Sequence, residues 1–424
     1  MYDNDYTDLW GVVRGHYLFA SLRRAAPVAF LSCLICGPYA HAAKVGAFKW
    51  DETITASLEY NSNITTAEED PIDDIIFQAR FAVDGSWEMT ENLVLTYGMG
   101  IGYRRYLGDS GFQLDSAAVR LVPDTMFSFD VRVSDQLMFT VADSVNFMEN
   151  ASDIAVVNRE TGEVETNLFS FERVRNRASV DGVWSVNQRN QLGVGVWRTD
   201  VIPLSSRFDD FRRIQYGVNG RWTRSLGESL RGGVSGSLYE TRYKTDFNND
   251  SDGRSWGPFV EWGITENMTF AADMQFVRTG FDRSTAQPEI ADDFDYQAVE
   301  WGLKLTHAFN PRMSYTLEYR KASDYGYISN YRELDLASAV VAWQATRTGQ
   351  AYLSVSYEWG DDSGGVAPDY WERWFVAVGY TQPFWNDFEY SVRARWTDKM
   401  SRVAGRSYEQ YSLYIGLVYH FPSR

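Results

Sequence analysis

The stretch Tyr411-Ser412-Leu413-Tyr414-Ile415-Gly416-Leu417-Val418-Tyr419-His420-Phe421 decides the fold class. Tyr411, Leu413, Ile415, Leu417, Tyr419 and Phe421 occupy one set of alternate positions; Ser412, Tyr414, Gly416, Val418 and His420 occupy the other. Period two places the first set on one face of a strand and the second on the opposite face. A helix would scatter both sets around its circumference. The preceding segment repeats the pattern, with Phe388, Tyr390, Val392, Ala394 and Trp396 against Glu389, Ser391, Arg393, Arg395 and Thr397. Near the other end of the chain, Leu93, Leu95, Tyr97, Met99, Ile101 and Tyr103 alternate with Thr96, Gly98, Gly100, Gly102 and Arg104.

Counting outward from these segments gives eighteen candidate strands. Short turns at 90–92, 188–190, 266–267, 310–312, 348–349 and 386–387 alternate with longer acidic loops at 61–74, 149–168, 244–253, 282–294 and 361–369. Short turns at one end, long polar loops at the other and an even strand number predict an all-β fold, a transmembrane antiparallel up-and-down β-barrel of about 18 strands. Trp50 with Tyr60, Trp256 with Trp262, Trp301 with Phe309, Phe388 with Trp396, and Tyr411 with Phe421 read as pairs in two interfacial girdles. A large soluble sandwich or propeller has the same period, but its water-facing surface has no use for aromatic caps.

Composition agrees. Aromatic residues make up 16% of the 424 residues. Mean hydropathy is −0.36, and the long charge-free apolar run lies near the N-terminus, which excludes a bundle of transmembrane helices. The net charge of −17 opposes a nucleic-acid partner, which would call for a basic face. Many aromatics and few prolines oppose disorder.

Arg23-Arg24, the apolar run 25–40 and Ala40-His41-Ala42 follow the order of a cleaved secretory signal peptide. Residues 1–42 are therefore expected to be removed, leaving 43–424 as an outer-membrane β-barrel of Gram-negative type. The acidic tract before Arg23 (Asp3, Asp5 and Asp8) is foreign to a signal and points to a start codon assigned too far upstream. Cys33 and Cys36 form a CxxC inside the segment expected to be lost, so redox or metal chemistry there is set aside.

A closed barrel of eighteen strands encloses a lumen wide enough for water. Strand one is expected near Phe48, which leaves no room for an N-terminal plug, so the lumen is open or obstructed by inward-folded loops such as 149–168. An energised transporter would need such a plug and about 22 strands. Parity puts Arg80, Arg104, Arg132, Arg173, Arg175, Arg177, Arg213 and Arg221 on the lumen face, followed by Arg320, Arg393 and Arg395. The same rule selects the acids Glu59, Asp84, Asp130, Asp181, Glu261, Asp273, Glu318, Glu333, Asp335, Glu358 and Glu389. Fixed guanidinium groups on a channel wall bind and pass anions. The alternative is that these arginines pair with the nearly equal number of acids and merely fill a polar interior.

No cofactor or metal is expected. Asn248, Asp250, Asp252 and Gly253 match the first half of a calcium-binding EF-hand loop, but its twelfth position, where a bidentate acid belongs, is Phe259. The surplus acids are expected in the long loops. Enzyme activity is not expected: beyond residue 42 the only histidines are His307, on the lipid face, and His420, inward at the short-turn end. No phosphate loop, dinucleotide fingerprint or HExxH occurs.

The whole segment after Ala43 resembles the porin-2-like β-barrel families of Gram-negative bacteria, some of which accompany exopolysaccharide export machinery. The resemblance rests on the eighteen-strand rhythm, on Leu58-Glu59-Tyr60-Asn61-Ser62-Asn63 near the first strand, and on Tyr419-His420-Phe421, similar to the terminal aromatic signature read by the barrel assembly machinery. Pro422-Ser423-Arg424 depart from that signature by following the phenylalanine. The resemblance implies passive passage of polar or anionic solutes or of exported polysaccharide. The partners it implies are outer-membrane lipid and lipopolysaccharide, the assembly machinery and periplasmic polysaccharide-export components. The other function class compatible with the sequence is a non-conducting barrel that displays acidic loops for binding or adhesion.

Overall fold

The computed structural model describes residues 48–421 apart from 109–117, 122–124, 151–155, 158–163, 166–170, 246, 283–291, 293, 327–328, 365–367 and 386. The signal segment 1–42 and most of the loop 149–168 lie outside the described residues.

Alternation becomes a single antiparallel sheet. Its strands are β1 (Phe48–Asn61), β2 (Asp74–Thr90), β3 (Leu93–Tyr106), β4 (two pieces, Ala118–Leu121 and Thr125–Ser134), β5 (Leu137–Asn150), β6 (Phe171–Asn187), β7 (Asn190–Pro203), β8 (Arg213–Ser225) and β9 (Leu230–Tyr243). They continue as β10 (Ser251–Thr265), β11 (Met268–Phe281), β12 (Tyr296–Asn310), β13 (Met313–Tyr325), β14 (Tyr331–Trp343), β15 (Gln350–Asp362), β16 (Tyr370–Trp385), β17 (Phe388–Ser401) and β18 (Tyr408–His420). The sheet has nineteen segments, and both pieces of β4 pair with β3, so the strand number is eighteen.

Each strand pairs with its sequence neighbour, and β1 closes the ring on β18 from Thr53 opposite His420 to Asn61 opposite Ser412. Closure removes the sheet edge and satisfies the backbone within lipid. Cross-strand partners share a face, so the ladders transmit face identity around the ring. The face holding Leu58, Tyr60, Val194, Leu238, Trp256, Trp262, Phe309 and Ile415 leaves these large apolar side chains exposed, which is the belt of an outer-membrane barrel. Fully buried side chains gather instead on the inner wall near the long loops, where Thr241, Tyr296, Trp371 and Lys399 are at most 1% exposed. Glycines make room there: a Cβ on Gly253 would run into the Tyr239 ring, and one on Gly360 into Trp371.

Two expectations need correction. Glu333 and Asp335 face outward: Lys321, opposite the outer-face Trp301, pairs with Asp335, and Glu333 lies two residues along on the same face. Both faces of this part of β14 carry apolar residues, with Leu334 and Leu336 inward and Ala337 and Ala339 outward, so parity offered no contrast there. Asp361 and Asp362, assigned to a loop, instead end β15, and Asp252 lies in β10. The half-match to a calcium loop is thus strand and hairpin, with Asp250 accepting from the Tyr243 amide at 2.7 Å.

Candidate functional site

Alternation along β6 puts Arg173, Arg175 and Arg177 on the inner face, opposite Pro203, Val201 and Thr199 of β7. Arg213 opens β8 opposite the same Val201, so Arg175 and Arg213 flank one residue in a single row. Four guanidinium groups therefore share one wall in the half of the barrel nearer the long loops. Arg177 rests over the Trp197 ring at 4.9 Å, and Arg213 over the Tyr325 ring at 4.9 Å. Among the described residues no carboxylate comes within 4.0 Å of Arg175 or Arg177.

Tyr325 ends β13, yet its hydroxyl lies 2.6 Å from Thr241 Oγ1 on β9, which also accepts from Gln215 Nε2 of β8 at 3.3 Å. These contacts span the concave inner wall and draw the arginine row toward β13. There β12 and β13 stop pairing above Trp301 and Lys321. Glu300 fills the gap, accepting from the Ser323 amide at 2.9 Å and its hydroxyl at 2.6 Å. The result is a cavity of about 480 Å³ whose lining includes Arg177, Trp197, Tyr239, Tyr296, Glu300, Arg320, Asp324 and Tyr331. Arg177 stands on one side, Glu300 and Asp324 with Arg320 on the other, and aromatic rings between. Such a field orients a small charged solute, because guanidinium forks grip carboxylate or phosphate while aromatic faces take its carbon skeleton.

The other predicted arginines are spread around the wall. Arg80 is inward on β2 opposite Thr55 and Gly102, Arg104 on β3 opposite Gln78, and Arg132 on β4 opposite Met138 near a short turn. Arg221 is held by Glu261 at 2.7 Å and lies over Phe259, while Arg231 shares the same carboxylate. Arg393 sits over the Tyr414 ring at 4.7 Å, and Arg395 is 3.6 Å from Glu59. The predicted acids Asp84, Asp130, Asp181, Asp273, Glu318, Glu358 and Glu389 occupy inner positions.

A second charged group lies on the inner wall of β14–β17 and the loop after it; of its members the sequence reading named only Glu358 as a lumen residue. Arg332 binds Asp362 at 2.7 Å, with both side chains largely buried, and Arg373 binds Glu358 at 2.5 Å. Arg332, Arg373 and Lys399 surround the buried Trp371 ring, and Arg406 lies 3.7 Å from Asp369. Only tertiary pairing brings these residues together. His307 contacts Tyr315 on the outer face, and His420 is inward at the short-turn end. Among the described residues, neither histidine is bonded to a serine or carboxylate, and no cluster of histidine, cysteine and acids could hold a metal.

No protein-family model and no curated protein sequence matches the chain. Solved structures do. A BenF-like porin from Pseudomonas fluorescens Pf-5 superposes with a TM-score of 0.50 at 11% identity, covering 88% of this chain and 98% of that one. The barrel has the fold of a porin. OccAB3 of Acinetobacter baumannii (TM-score 0.49, 9% identity, 89% of this chain and 100% of that) and OpdQ of Pseudomonas aeruginosa (0.46, 10%, 89% and 100%) are similar as well. In this porin-type barrel the arginine wall and the cavity beneath Tyr325 are the candidate selectivity region.

Proposed function

We propose that the chain is a passive outer-membrane channel for small polar solutes. In this reading Arg173, Arg175, Arg177 and Arg213 favour solutes bearing carboxylate or phosphate. The observation that carries it is that, among the described residues, no carboxylate comes within 4.0 Å of Arg175 or Arg177, on a wall where Arg177 lines a cavity of solute size. An anion entering from the loop side exchanges part of its hydration for guanidinium hydrogen bonds. It then passes among Arg80, Arg104, Arg132, Arg221, Arg393 and Arg395, which are dispersed or paired and hold it less tightly. No energy source and no covalent step is involved. Polysaccharide as cargo, and export components as partners, rest on the sequence resemblance alone and follow only if oligosaccharides pass.

A second reading, a barrel that displays its loops without conducting, is favoured by one observation. Asn249 donates to the Asp292 carbonyl and to Asn330, and Asp292 accepts from the Asn330 amide and from Ser363. Four loops are thereby knitted into one outer surface. Swelling of liposomes containing the refolded protein separates the two readings. With a sugar acid, a neutral sugar and an amino sugar of matched size, the channel predicts swelling fastest with the acid and slowest with the amine. Equal rates would remove the arginine bias, and no swelling from folded protein would hand the function to display.

A further inference from the structure

On β10 and β11, Trp256 and Phe276 form a cross-strand pair on the outer face, ring centroids 4.8 Å apart, at the loop-side edge of the apolar belt. Two residues nearer the loops, the next outward pair is Arg254 opposite Arg278. Like charges directly opposite each other destabilise a sheet. Elsewhere at this level the protein neutralises its own charges. Arg198 holds Asp200 at 2.9 Å, Lys321 holds Glu333 at 3.2 Å, Arg242 is bound to Glu240, and tyrosine hydroxyls donate to Asp335 and Glu372. Arg254 and Arg278 are both exposed, and neither makes a hydrogen bond, ion pair or ring contact among the described residues. Glu240, beside Arg254, is already engaged by Arg242. Asp295, beyond Gly280 in the next row, accepts the Phe281 amide at 3.0 Å, which leaves Asp252, on the same face and one row nearer the loops, as the remaining acid lining the site of the two cations.

A shallow hollow of about 530 Å³ lies between these groups, bounded by Tyr216, Leu238, Glu240, Asp252, Arg254 and Arg278. Toward the membrane it runs onto exposed Leu238, Trp256 and Phe276, which are 63%, 58% and 39% accessible. An occupant with an anionic head and an apolar body fits both halves. We propose that this hollow binds the phosphorylated headgroup of an outer-leaflet glycolipid. One phosphate bridges Arg254 and Arg278, and acyl chains lie over Leu238, Trp256 and Phe276. The phosphate turns the repulsive guanidinium pair into two charge-assisted contacts. The apolar floor distinguishes a lipid phosphate from free phosphate, which could not use it.

Refolded protein in phosphatidylcholine nanodiscs, doped with an acylated, bisphosphorylated glucosamine disaccharide, gives the test, with retained glycolipid counted by native mass spectrometry. The native chain is expected to retain the phosphorylated lipid, and the Arg254→Gln/Arg278→Gln variant roughly tenfold less. The same lipid without phosphates should be retained poorly by both. Heat-modifiable gel mobility and unchanged conductance confirm that the variant is folded, since both positions lie outside the lumen. Equal retention by variant and native chain would overturn the proposal. Displacement of the lipid by inorganic phosphate at matched concentration would reassign the pair to free phosphate and overturn it too.

Discussion

On the inner wall, Arg175 and Arg177 of β6 and the arginines around Trp371 are similar residues in opposite electrostatic states. Around Trp371 the guanidinium groups have a carboxylate within 4.0 Å: Arg332 with Asp362, Arg373 with Glu358 and, in the loop after β17, Arg406 with Asp369; Arg393, farther along β17, instead lies over the Tyr414 ring. On β6 neither Arg175 nor Arg177 has such a carboxylate among the described residues. An arginine count therefore says little about a channel wall. A paired guanidinium has spent its donors on the protein and presents a nearly neutral dipole. One that only stacks on a ring, as Arg177 does on Trp197, keeps its charge and most of its donors for what passes.

The contrast can be broken from either side. The largest effect is expected at the paired wall. Asp362→Asn strands Arg332 in a site where the two side chains are 2% and 12% exposed, and breaking a buried pair costs about 3–5 kcal/mol. Urea unfolding in lipid vesicles should show that loss; a shift below about 1 kcal/mol would mean the pair is solvated. Next comes Arg177→Glu, which reverses a charge at the cavity. With roughly 1 kcal/mol between charges about 4 Å apart in water, reversal exchanges attraction for repulsion, about 2 kcal/mol, so the anion preference read from a salt-gradient reversal potential should fall about thirtyfold, against about fivefold for simple removal of the charge. Removing a whole pair, Arg373→Gln/Glu358→Gln, should move that potential far less than Arg177→Gln; equal shifts would erase the distinction between the walls. The smallest change belongs to Glu333→Gln. On the outer face beside Lys321 it should alter stability by less than about 1 kcal/mol and leave the reversal potential where it was.

Much of this was legible in the sequence, for a physical reason. Period two has only two phases, so one well-contrasted strand such as β18 assigns both its faces. Turn chemistry then carries the assignment along the chain: Asn61 and Asp74 bound the first long loop in the sequence reading and in the structure alike. The inward placement of Arg173, Arg175 and Arg177 follows from the same rule. It failed at Glu333 and Asp335, where Leu334 and Leu336 face the lumen and small residues face lipid. It also could not reveal which arginines are paired. The partners of Arg332, Arg395 and Arg406 lie 30, 336 and 37 positions away, and the approach of Tyr325 to Thr241 crosses 84 positions. Of the outward acids at the loop end, the sequence reading places Asp252 and Asp361 in loops with the surplus negative charge and Glu333 and Asp335 in the lumen; the partners that hold the last two outside, Lys321 and Tyr319, come only from the neighbouring strand.

The most direct test of the account is the reversal potential of single channels in a planar bilayer under a salt gradient, comparing the native chain with Arg175→Gln/Arg177→Gln. Anion selectivity in the native channel is expected to collapse toward neutrality in the double variant while conductance persists. A native channel that is cation-selective, or a double variant with unchanged selectivity, would contradict the assignment of the arginine wall.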